Sequence, residues 1–439
     1  MKQAGKKEGV WGEGIFAHLR FPRRRRGWGG SVSAIPPKAE YQKKKIFFSL
    51  IEKSLGGARL KKCRENFFVL LAETKRRRAE TLSRIQSAKF SGFSSKKVRI
   101  LTKTYRMRYH DKVYGYFNIT EPIILELINS APLQRLKDVN QGGYGPMLAK
   151  PCARANELGH NRFEHSLGVY LLLKKFNAPI KEQIAGLIHD VSHSVFSHCI
   201  DYVADTGNGK EQNHQDNLHD SFIRETSIPK IIKKYGLNLE YILNDRNFPL
   251  KEKELPDLCA DRIDYILREG IFFKEISSAQ ATAILDNLLV KDSKWVFKNI
   301  AATKKFAQLF FKLNKVYYSS FRTAIMFTAV SDCLKYALRK KYITAADLYA
   351  TDKIVIAKIK KYLNKNKALK LLWQRMNGKI VVRQNRRNYD AQIFCKSRIV
   401  DPLFIDKKKI KRLSQAQPAW GKIVKQELKP KQYFLKFQV

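Results

Sequence analysis

The spacing of apolar residues predicts that the chain is mostly helical from about residue 103 to residue 376. Apolar positions recur there at intervals of three and four, which places them on one face of an α-helix. Thr120-Glu121-Pro122 precedes the first stripe, and an early proline favours a helix start there. The stripes comprise Ile123, Ile124, Leu127 and Ile128; Leu167, Tyr170 and Leu171; Ile184, Leu187 and Ile188; and Leu258, Cys259, Ile263, Ile266 and Leu267, the last ended by Gly270.

The apolar period changes after Gly378. Short apolar runs at residues 380–382, 398–400 and 433–437 predict strands separated by basic turns. The predicted fold class is therefore mainly α, with a helical core over residues 101–376 and a small basic α+β region over residues 377–439.

The first hundred residues lack a sustained period. Residues 1–46 are rich in Gly, Pro and Arg, and we expect them to be disordered or to be an upstream extension of the reading frame. Residues 47–90 carry enough Leu, Ile and Phe for one or two basic helices, but little else to pack on. Residues 1–100 are thus expected to form a basic, poorly packed extension.

The charge of the chain is strongly positive and unevenly distributed. Lys and Arg number 85 and Asp and Glu 39, a formal net charge of +46 over 439 residues. Residues 101–300 are nearly balanced, so the excess lies in the two ends. Basic ends attract polyanions, and nonspecific binding of nucleic acid is one interpretation. A solvated, lysine-rich surface is the other.

Composition excludes several classes of protein. A hydrophobic fraction of 44% is enough for a sizeable core. The six cysteines are scattered without a CxxC pair, which argues against a structural zinc site or a disulfide framework and suits a reducing cytosol. No apolar run approaches the roughly 18–20 residues of a membrane helix, and no signal peptide is visible. We expect a cytoplasmic protein without a membrane span.

Histidine placement is the strongest chemical signal. Seven of the nine histidines fall within residues 160–219. One or two hydrogen-bonded histidines in a core need no function, but such a concentration beside carboxylates favours a metal or phosphate site. The seven are His160, His165, His189, His193, His198, His214 and His219.

The spacing of these residues favours a divalent transition metal. An apolar run ends directly in His189-Asp190, which supplies an imidazole and a carboxylate from a buried support. His193 would share a helix face with His189 if the helix continued. With His165 and Asp261 from other predicted helices, the set could form half of an octahedral shell. Such a shell suits Mn, Fe, Zn or Ni, with Mg as an alternative on substrate phosphates.

These motifs carry a family resemblance. The His160–Gly168 segment, the His189–His198 segment and Asp261 before Tyr265 form an ordered H…HD…H…H…D set. This set resembles the HD-domain phosphohydrolase superfamily, and within it the branch of deoxynucleoside triphosphate triphosphohydrolases. The resemblance extends from about Tyr109 to Leu338 and implies an HD-domain helical core.

The resemblance implies a role for each matching position. The implied metal ligands are His165, His189, Asp190 and Asp261. The implied catalytic residues are His193 and His219, with Asp220 as the acidic partner of His219. The implied substrate-binding residues are Arg162, His198 and Arg262 at the phosphates, Tyr265 beside them, and Gln141 and Glu269 around the sugar, where Tyr318 or Arg322 would complete the pocket.

The resemblance also implies a reaction and leaves alternatives open. We expect hydrolysis of a (d)NTP to nucleoside and triphosphate, by a homo-oligomer. Gly142 stands where the family has a bulky residue that would crowd a 2′-hydroxyl, so weak selection of deoxyribose is expected. The alternatives are a phosphodiesterase or phosphatase on other nucleotides, a nucleic-acid-binding or nucleotide-sensing protein with a secondary HD site, and an HD fold without catalysis.

Overall fold

Helices outnumber strands in the described chain, and the fold class is mainly α, as the apolar spacing predicts. The computed structural model describes residues 106–147, 160–203 and 209–438, and these belong to one compact unit. The predictions for residues 1–100 lie outside the described residues. The α-helices are α1 (Pro122–Ile128), α2 (Ala131–Arg135), α3 (Arg162–Lys175), α4 (Ile180–Ile188), α5 (His214–Arg224), α6 (Ile228–Lys234), α7 (Leu239–Leu243), α8 (Ala260–Phe272), α9 (Ser278–Asp286), α10 (Ile300–Leu313), α11 (Phe321–Arg339), α12 (Asp352–Lys360), α13 (Lys367–Met376), α14 (Leu413–Ala416) and α15 (Pro418–Glu427).

The strands of the described chain form three small sheets. They are β1 (Met107–Asp111), β2 (Gly115–Ile119), β3 (Leu288–Lys291), β4 (Lys294–Phe297), β5 (Val381–Gln384), β6 (Ala391–Cys395), β7 (Leu403–Asp406), β8 (Lys409–Arg412) and β9 (Lys431–Gln438). A β1–β2 hairpin stands alone, β3-β4-β7-β8 form a second sheet, and β5-β9-β6 form a third. Strand β4 pairs with β7 in parallel, which ties the C-terminal region to the helical region.

Two strand predictions are confirmed and one is wrong. Residues 380–382 overlap β5, and residues 433–437 lie within β9. Residues 398–400 pair with no strand and instead form the connection from β6 to β7. The β3–β4 hairpin was missed within the region predicted as mostly helical. Its two-residue turn, Asp292-Ser293, has positive φ at both positions but lacks the Asn-Gly or Asp-Gly signal of such turns.

The helix ends differ from the sequence pattern at the site. Helix α1 begins at Pro122, as predicted. Helix α4 ends at Ile188, so the condition for a helix face shared by His189 and His193 is not met, and His193 lies on the following turn. Helix α8 continues past Gly270 to Phe272.

Helix α3 is the centre of the helical region. All its residues from Phe163 to Leu173 except Glu164 are buried, as expected for a helix surrounded by others. It packs against α4 and α8. A Cβ at Gly168 would lie 2.1 Å from both Asp264 and Arg268 of α8, so only glycine permits this approach. Helices α3, α4 and α8 are therefore packed closely together.

No helix within the described ranges is long and apolar enough to cross a membrane.

Candidate active site

Two imidazoles and a carboxylate meet where α3, α4 and α8 pack together. His165 comes from α3, His189 caps the C-terminus of α4, and Asp261 lies in the first turn of α8. The two Nε2 atoms are 3.2 Å apart. Asp261 Oδ1 lies 2.9 Å from His165 Nε2 and 3.5 Å from His189 Nε2. Three donor atoms therefore face one point, as the ligands of one cation do.

Asp190 lies at the same point. Its Oδ1 is 3.5 Å from His189 Nε2, and its Oδ2 is 3.7 Å from His165 Nε2. The buried guanidinium of Arg162 contacts Asp190 Oδ2 at 2.5 Å and fixes the carboxylate. The structure thus brings all four residues of the implied ligand set together.

Hydrogen bonds on the far side of each imidazole orient the rings. His189 Nδ1 lies 2.7 Å from the carbonyl oxygen of Gly186, which can only accept, so Nδ1 carries the proton and Nε2 presents its lone pair. His165 Nδ1 lies 2.7 Å from Asp264 Oδ2. A carboxylate or carbonyl behind the ring is the usual support of a metal-binding histidine. The residues present therefore fit a divalent cation.

The electrostatics of the cluster also favour a cation. Burial lowers the pKa of His165, but the bonds from Asp261 and Asp264 outweigh it and raise that pKa to about 10. Burial likewise opposes the charge of Asp261, yet the two histidines hold its pKa well below the usual range. The cluster thus attracts positive charge, whether as protons or as a metal ion.

His193 lies on the turn that follows α4, and His198 lies in the short 3-10 helix Ser197–Tyr202 that comes next. His193 Nε2 is 3.3 Å from Asp190 Oδ1, and the His193 and His198 ring centroids are 5.3 Å apart. Burial, reinforced by the charge of Arg162, lowers the pKa of His193 well below its ordinary value. Burial also lowers the pKa of His198, although Asp201 opposes this at 3.1 Å. His193 is therefore neutral at pH 7.

His219 and Asp220 approach from the opposite wall, on α5. His219 Nε2 lies 3.4 Å from the carbonyl oxygen of Ile188, and Nδ1 lies 3.4 Å from Asp220 Oδ1. The bond to His219 lowers the pKa of Asp220. Both residues line the same cavity as the metal cluster.

That cavity measures about 830 Å³ and is lined by aromatic side chains as well as by residues of the cluster. Tyr265 Oη and Gln141 Oε1 are buried without a hydrogen-bond partner in the described part of the chain, so they are free to bind ligand. The Tyr265 and Tyr318 rings meet edge to face at 5.9 Å. Burial and then the nearby Glu269 carboxylate raise the pKa of Tyr318 well above its ordinary value. His160 Nε2 lies 3.3 Å from Glu269 Oε1.

Of the residues implied around the sugar, Arg322 is the one that the structure places elsewhere. It lies in the exposed first turn of α11, and its Nε donates to the carbonyl oxygen of Met147 at 3.0 Å. It does not line the cavity, whereas Tyr318, at the end of the preceding π-turn, does. The prediction for Arg322 is therefore corrected: α11 begins after Tyr318, and its first turn places the Arg322 side chain outside the cavity.

Three further groups at the site were not assigned a role from the sequence. Asp264 supports His165, and its signal was its place three residues after Asp261 on the same helix face. Lys396 and Arg398, from the C-terminal region, line the cavity although they are distant in sequence from every HD motif. No local signal connects these two cations to the site.

Comparisons with known proteins agree with this geometry. Residues 162–268 match the HD domain family. The uncharacterized protein YdhJ of Bacillus subtilis is 34% identical over 307 residues, which cover 70% of this chain and 91% of YdhJ. The metal-dependent phosphohydrolase cns2 of Cordyceps militaris is 34% identical over 180 residues, covering 40% of this chain and 49% of cns2.

More distant similarities extend the comparison. Deoxynucleoside triphosphate triphosphohydrolase SAMHD1 of Gallus gallus is 32% identical over 152 residues, covering 30% of this chain and 24% of that protein. The crystal structure of a phosphohydrolase from Bacteroides thetaiotaomicron shares the fold with a TM-score of 0.58 at 17% identity, covering 76% of this chain and 100% of that one. With the His/Asp cluster and the nearly full-length match to YdhJ, the chain belongs to the HD-domain superfamily of metal-dependent phosphohydrolases.

Proposed function

We propose that the chain hydrolyses nucleoside triphosphates, with deoxyribose or ribose, to the nucleoside and triphosphate. One observation carries this proposal: a single cavity of about 830 Å³ is lined both by residues of the His/Asp cluster and by tyrosines and unpartnered polar atoms. Aromatic walls with a few polar atoms suit a nucleoside, and a cation-binding cluster suits the phosphates. The name of the SAMHD1 relative points to the same substrate class.

The proposed ligands of the divalent cation are His165, His189, Asp190 and Asp261. When bound, the cation supplies Lewis-acid stabilisation of charge on the phosphoryl group. Arg162 holds Asp190 in place through Nη1 and donates from Nε to Ser197 Oγ at 2.7 Å, so its positive charge stays fixed beside the reacting phosphate. Its main contribution is therefore electrostatic.

The proposed proton-transfer groups are His193 and His219, the latter with Asp220. His193 is neutral before substrate binds, because burial and the Arg162 charge disfavour its protonated form. Negative phosphates arriving beside it raise its proton affinity. Once it has taken up a proton from solvent, His193 can donate that proton to the leaving 5′-oxygen of the nucleoside as water attacks the α-phosphorus, and His219, paired with Asp220, accepts the proton that the water loses.

The test is product analysis with purified protein and added Mn²⁺. Each of the four dNTPs and four NTPs is incubated, and the products are separated by anion-exchange chromatography. Nucleoside with triphosphate supports the proposal. Release of pyrophosphate or orthophosphate, or no turnover of any nucleotide, overturns it. Where an Asp→Asn variant of the site is assayed beside the wild type, Asp292→Asn is the matched control, since it removes an exposed carboxylate at the β3–β4 turn.

A further inference from the structure

Two cations of the C-terminal region enter the active-site cavity immediately after β6. The side chains of Cys395, Ser397 and Ile399 are buried in the protein, at 0%, 4% and 0% exposure. Successive side chains of an extended segment point to opposite sides. Lys396 and Arg398 therefore turn the other way, and both line the cavity.

A buried asparagine fixes this segment in place. Asn314 is fully buried in the π-turn that ends at Tyr318. Its Oδ1 accepts from the backbone N–H of Arg398 at 2.9 Å, and its Nδ2 donates to Ser397 Oγ at 2.9 Å and to Glu427 Oε2 at 3.2 Å. The backbone between the two cations is thus held by the same turn that delivers Tyr318 to the cavity.

The other buried or half-buried cations of the cavity are neutralised by carboxylates, whereas Arg246 and Lys253, which also line it, are exposed to solvent. Arg162 pairs with Asp190, and Arg262 pairs with Glu252 at 3.2 Å. Lys251 contacts Asp245 in the same way. In each of these pairs a carboxylate offsets part of the positive charge.

Lys396 and Arg398 differ in this respect. Within the described ranges neither forms an ion pair, and the one side-chain bond of Arg398 is from Nη2 to Gln212 Oε1 at 2.8 Å. Burial, followed by the charge of Arg398, lowers the pKa of Lys396 to about 8, while the charges of Asp216 and Asp201 oppose this. Two half-buried, unneutralised cations side by side are costly unless an anion binds between them.

We propose that Lys396 and Arg398 bind the distal phosphates of a nucleoside triphosphate, so that the C-terminal region completes the substrate site. The nucleotide part of this inference rests on the proposed function, whereas the two cations require only a polyphosphate. Arg398 lines the same cavity as His193 and His219, the proposed proton-transfer groups. Cations beyond the reacting centre would favour triphosphates over monophosphates.

The experiment measures binding of inorganic tripolyphosphate to the full chain by calorimetry, at constant free Mn²⁺. Lys396→Gln and Arg398→Gln are each expected to raise the dissociation constant about tenfold, which corresponds to about 1.4 kcal/mol, in the range of a charge-assisted hydrogen bond. The double variant should be weaker than either single variant. Lys425→Gln and Arg387→Gln remove exposed charges from the same region and should leave the constant unchanged.

Two further variants guard against a folding defect. Lys396→Arg retains the charge and should retain the affinity. Lys396→Met retains the length and the apolar stem but removes the charge, and it should lose the affinity. All variants are compared by thermal melting. If a folded double variant binds tripolyphosphate as the wild type does, the inference is overturned.

Kinetics separate this inference from the proposed function. If nucleoside triphosphates are hydrolysed, the double variant should show a raised KM with little change in kcat, because the distal phosphates bind in the ground state as in the transition state. If the wild type releases no triphosphate, the proposed function fails, yet loss of tripolyphosphate affinity in the variants would still support the polyphosphate site.

Discussion

His165 Nδ1 lies 2.7 Å from Asp264 Oδ2, and this bond aims the opposite ring nitrogen at the His/Asp cluster. Asp264 is itself fully buried and held by Arg268, whose Nε and Nη2 donate to it at 3.0 Å and 2.9 Å. Arg268 also contacts Asp111, next to the β1–β2 turn, at 3.0 Å. A chain of buried charges thus connects the first hairpin to the metal cluster.

Asp264→Asn is expected to weaken metal binding without abolishing it. The substitution removes the negative charge behind His165 and replaces one acceptor oxygen by an NH₂ group facing Arg268. Loss of such a support typically costs 10–100-fold in metal affinity. Titration of the metal-free protein with Mn²⁺ measures the change, with Asp292→Asn as the control. Unchanged affinity in a folded variant would show that the bond does not tune the site.

Asp190→Ala should have a more severe effect. It removes a proposed ligand and leaves the buried Arg162 guanidinium without its carboxylate partner. The desolvation cost of the guanidinium is then no longer offset. We expect hydrolysis to be lost and the bound metal, measured by elemental analysis, to fall, while circular dichroism shows that the helical core remains. Full activity in this variant would disprove the ligand assignment.

Selection between ribose and deoxyribose is expected to be weak. Gly142 lines the cavity beside Gln141 and presents no side chain to a 2′-hydroxyl. Gly142 is not among the described glycines with positive φ, so backbone strain does not oppose a larger residue at this position. Gly142→Leu should therefore reduce kcat/KM for NTPs more than for dNTPs. A strong preference of the wild type for dNTPs would contradict this expectation.

The pH dependence of stability should contain a contribution from Asp352. Its two oxygens accept from the backbone N–H groups of Phe196 and Asn140, at 2.8 Å and 3.0 Å. Burial is the main cause that raises its pKa to about 7 from an ordinary value of 3.8. The folded state thus binds this proton more tightly than the unfolded state, so the free energy of unfolding falls as pH rises from about 4 to about 7.

Replacing Asp352 by Asn should remove this slope. The difference in free energy of unfolding, wild type minus Asp352→Asn, should be larger at pH 5 than at pH 8, by up to about 1.4 kcal/mol per pH unit across the window. Urea unfolding at several pH values provides the measurement. A difference that does not vary with pH would mean that the carboxyl is ionised throughout.

The sequence predicts local structure and the short-range motifs well, because each depends on neighbouring residues. The stripe around Leu167 and Leu171 and the proline start of α1 are examples. It does not predict the placement of Lys396, because that depends on Asn314, some eighty positions earlier in the chain, and on the pairing of β6 with β9. Arg322 was misplaced for a similar reason, since one turn between helices decides its direction.

Deleting residues 1–100 should leave hydrolysis unchanged. These residues lack the periodic apolar pattern of a packed element, and the proposed site is built from residues between Asn140 and Arg398. Their basic charge should contribute only salt-sensitive, nonspecific affinity for polyanions, with a slope of about −0.7 to −0.9 in log K against log salt for each phosphate neutralised. The test compares hydrolysis and single-stranded DNA binding at two salt concentrations; loss of hydrolysis would reveal an essential segment.

Removing residues 379–439 should have the opposite outcome. Leu435 and Phe437 of β9 are buried in one apolar cluster, and Val400 and Trp420 are buried in another that includes residues of α3 and α8. Burial of a large apolar side chain contributes about 1.5–3 kcal/mol, so four of them together approach the roughly 5–15 kcal/mol that stabilises a typical domain.

The truncated chain is therefore expected to lose its cooperative thermal transition, and with it hydrolysis. Loss of folding alone would explain the loss of activity, so the folded Lys396→Gln/Arg398→Gln variant is the necessary comparison. It should melt like the wild type and still bind substrate more weakly. A truncated chain that melts and hydrolyses like the wild type would show that the C-terminal region supports neither the core nor the site.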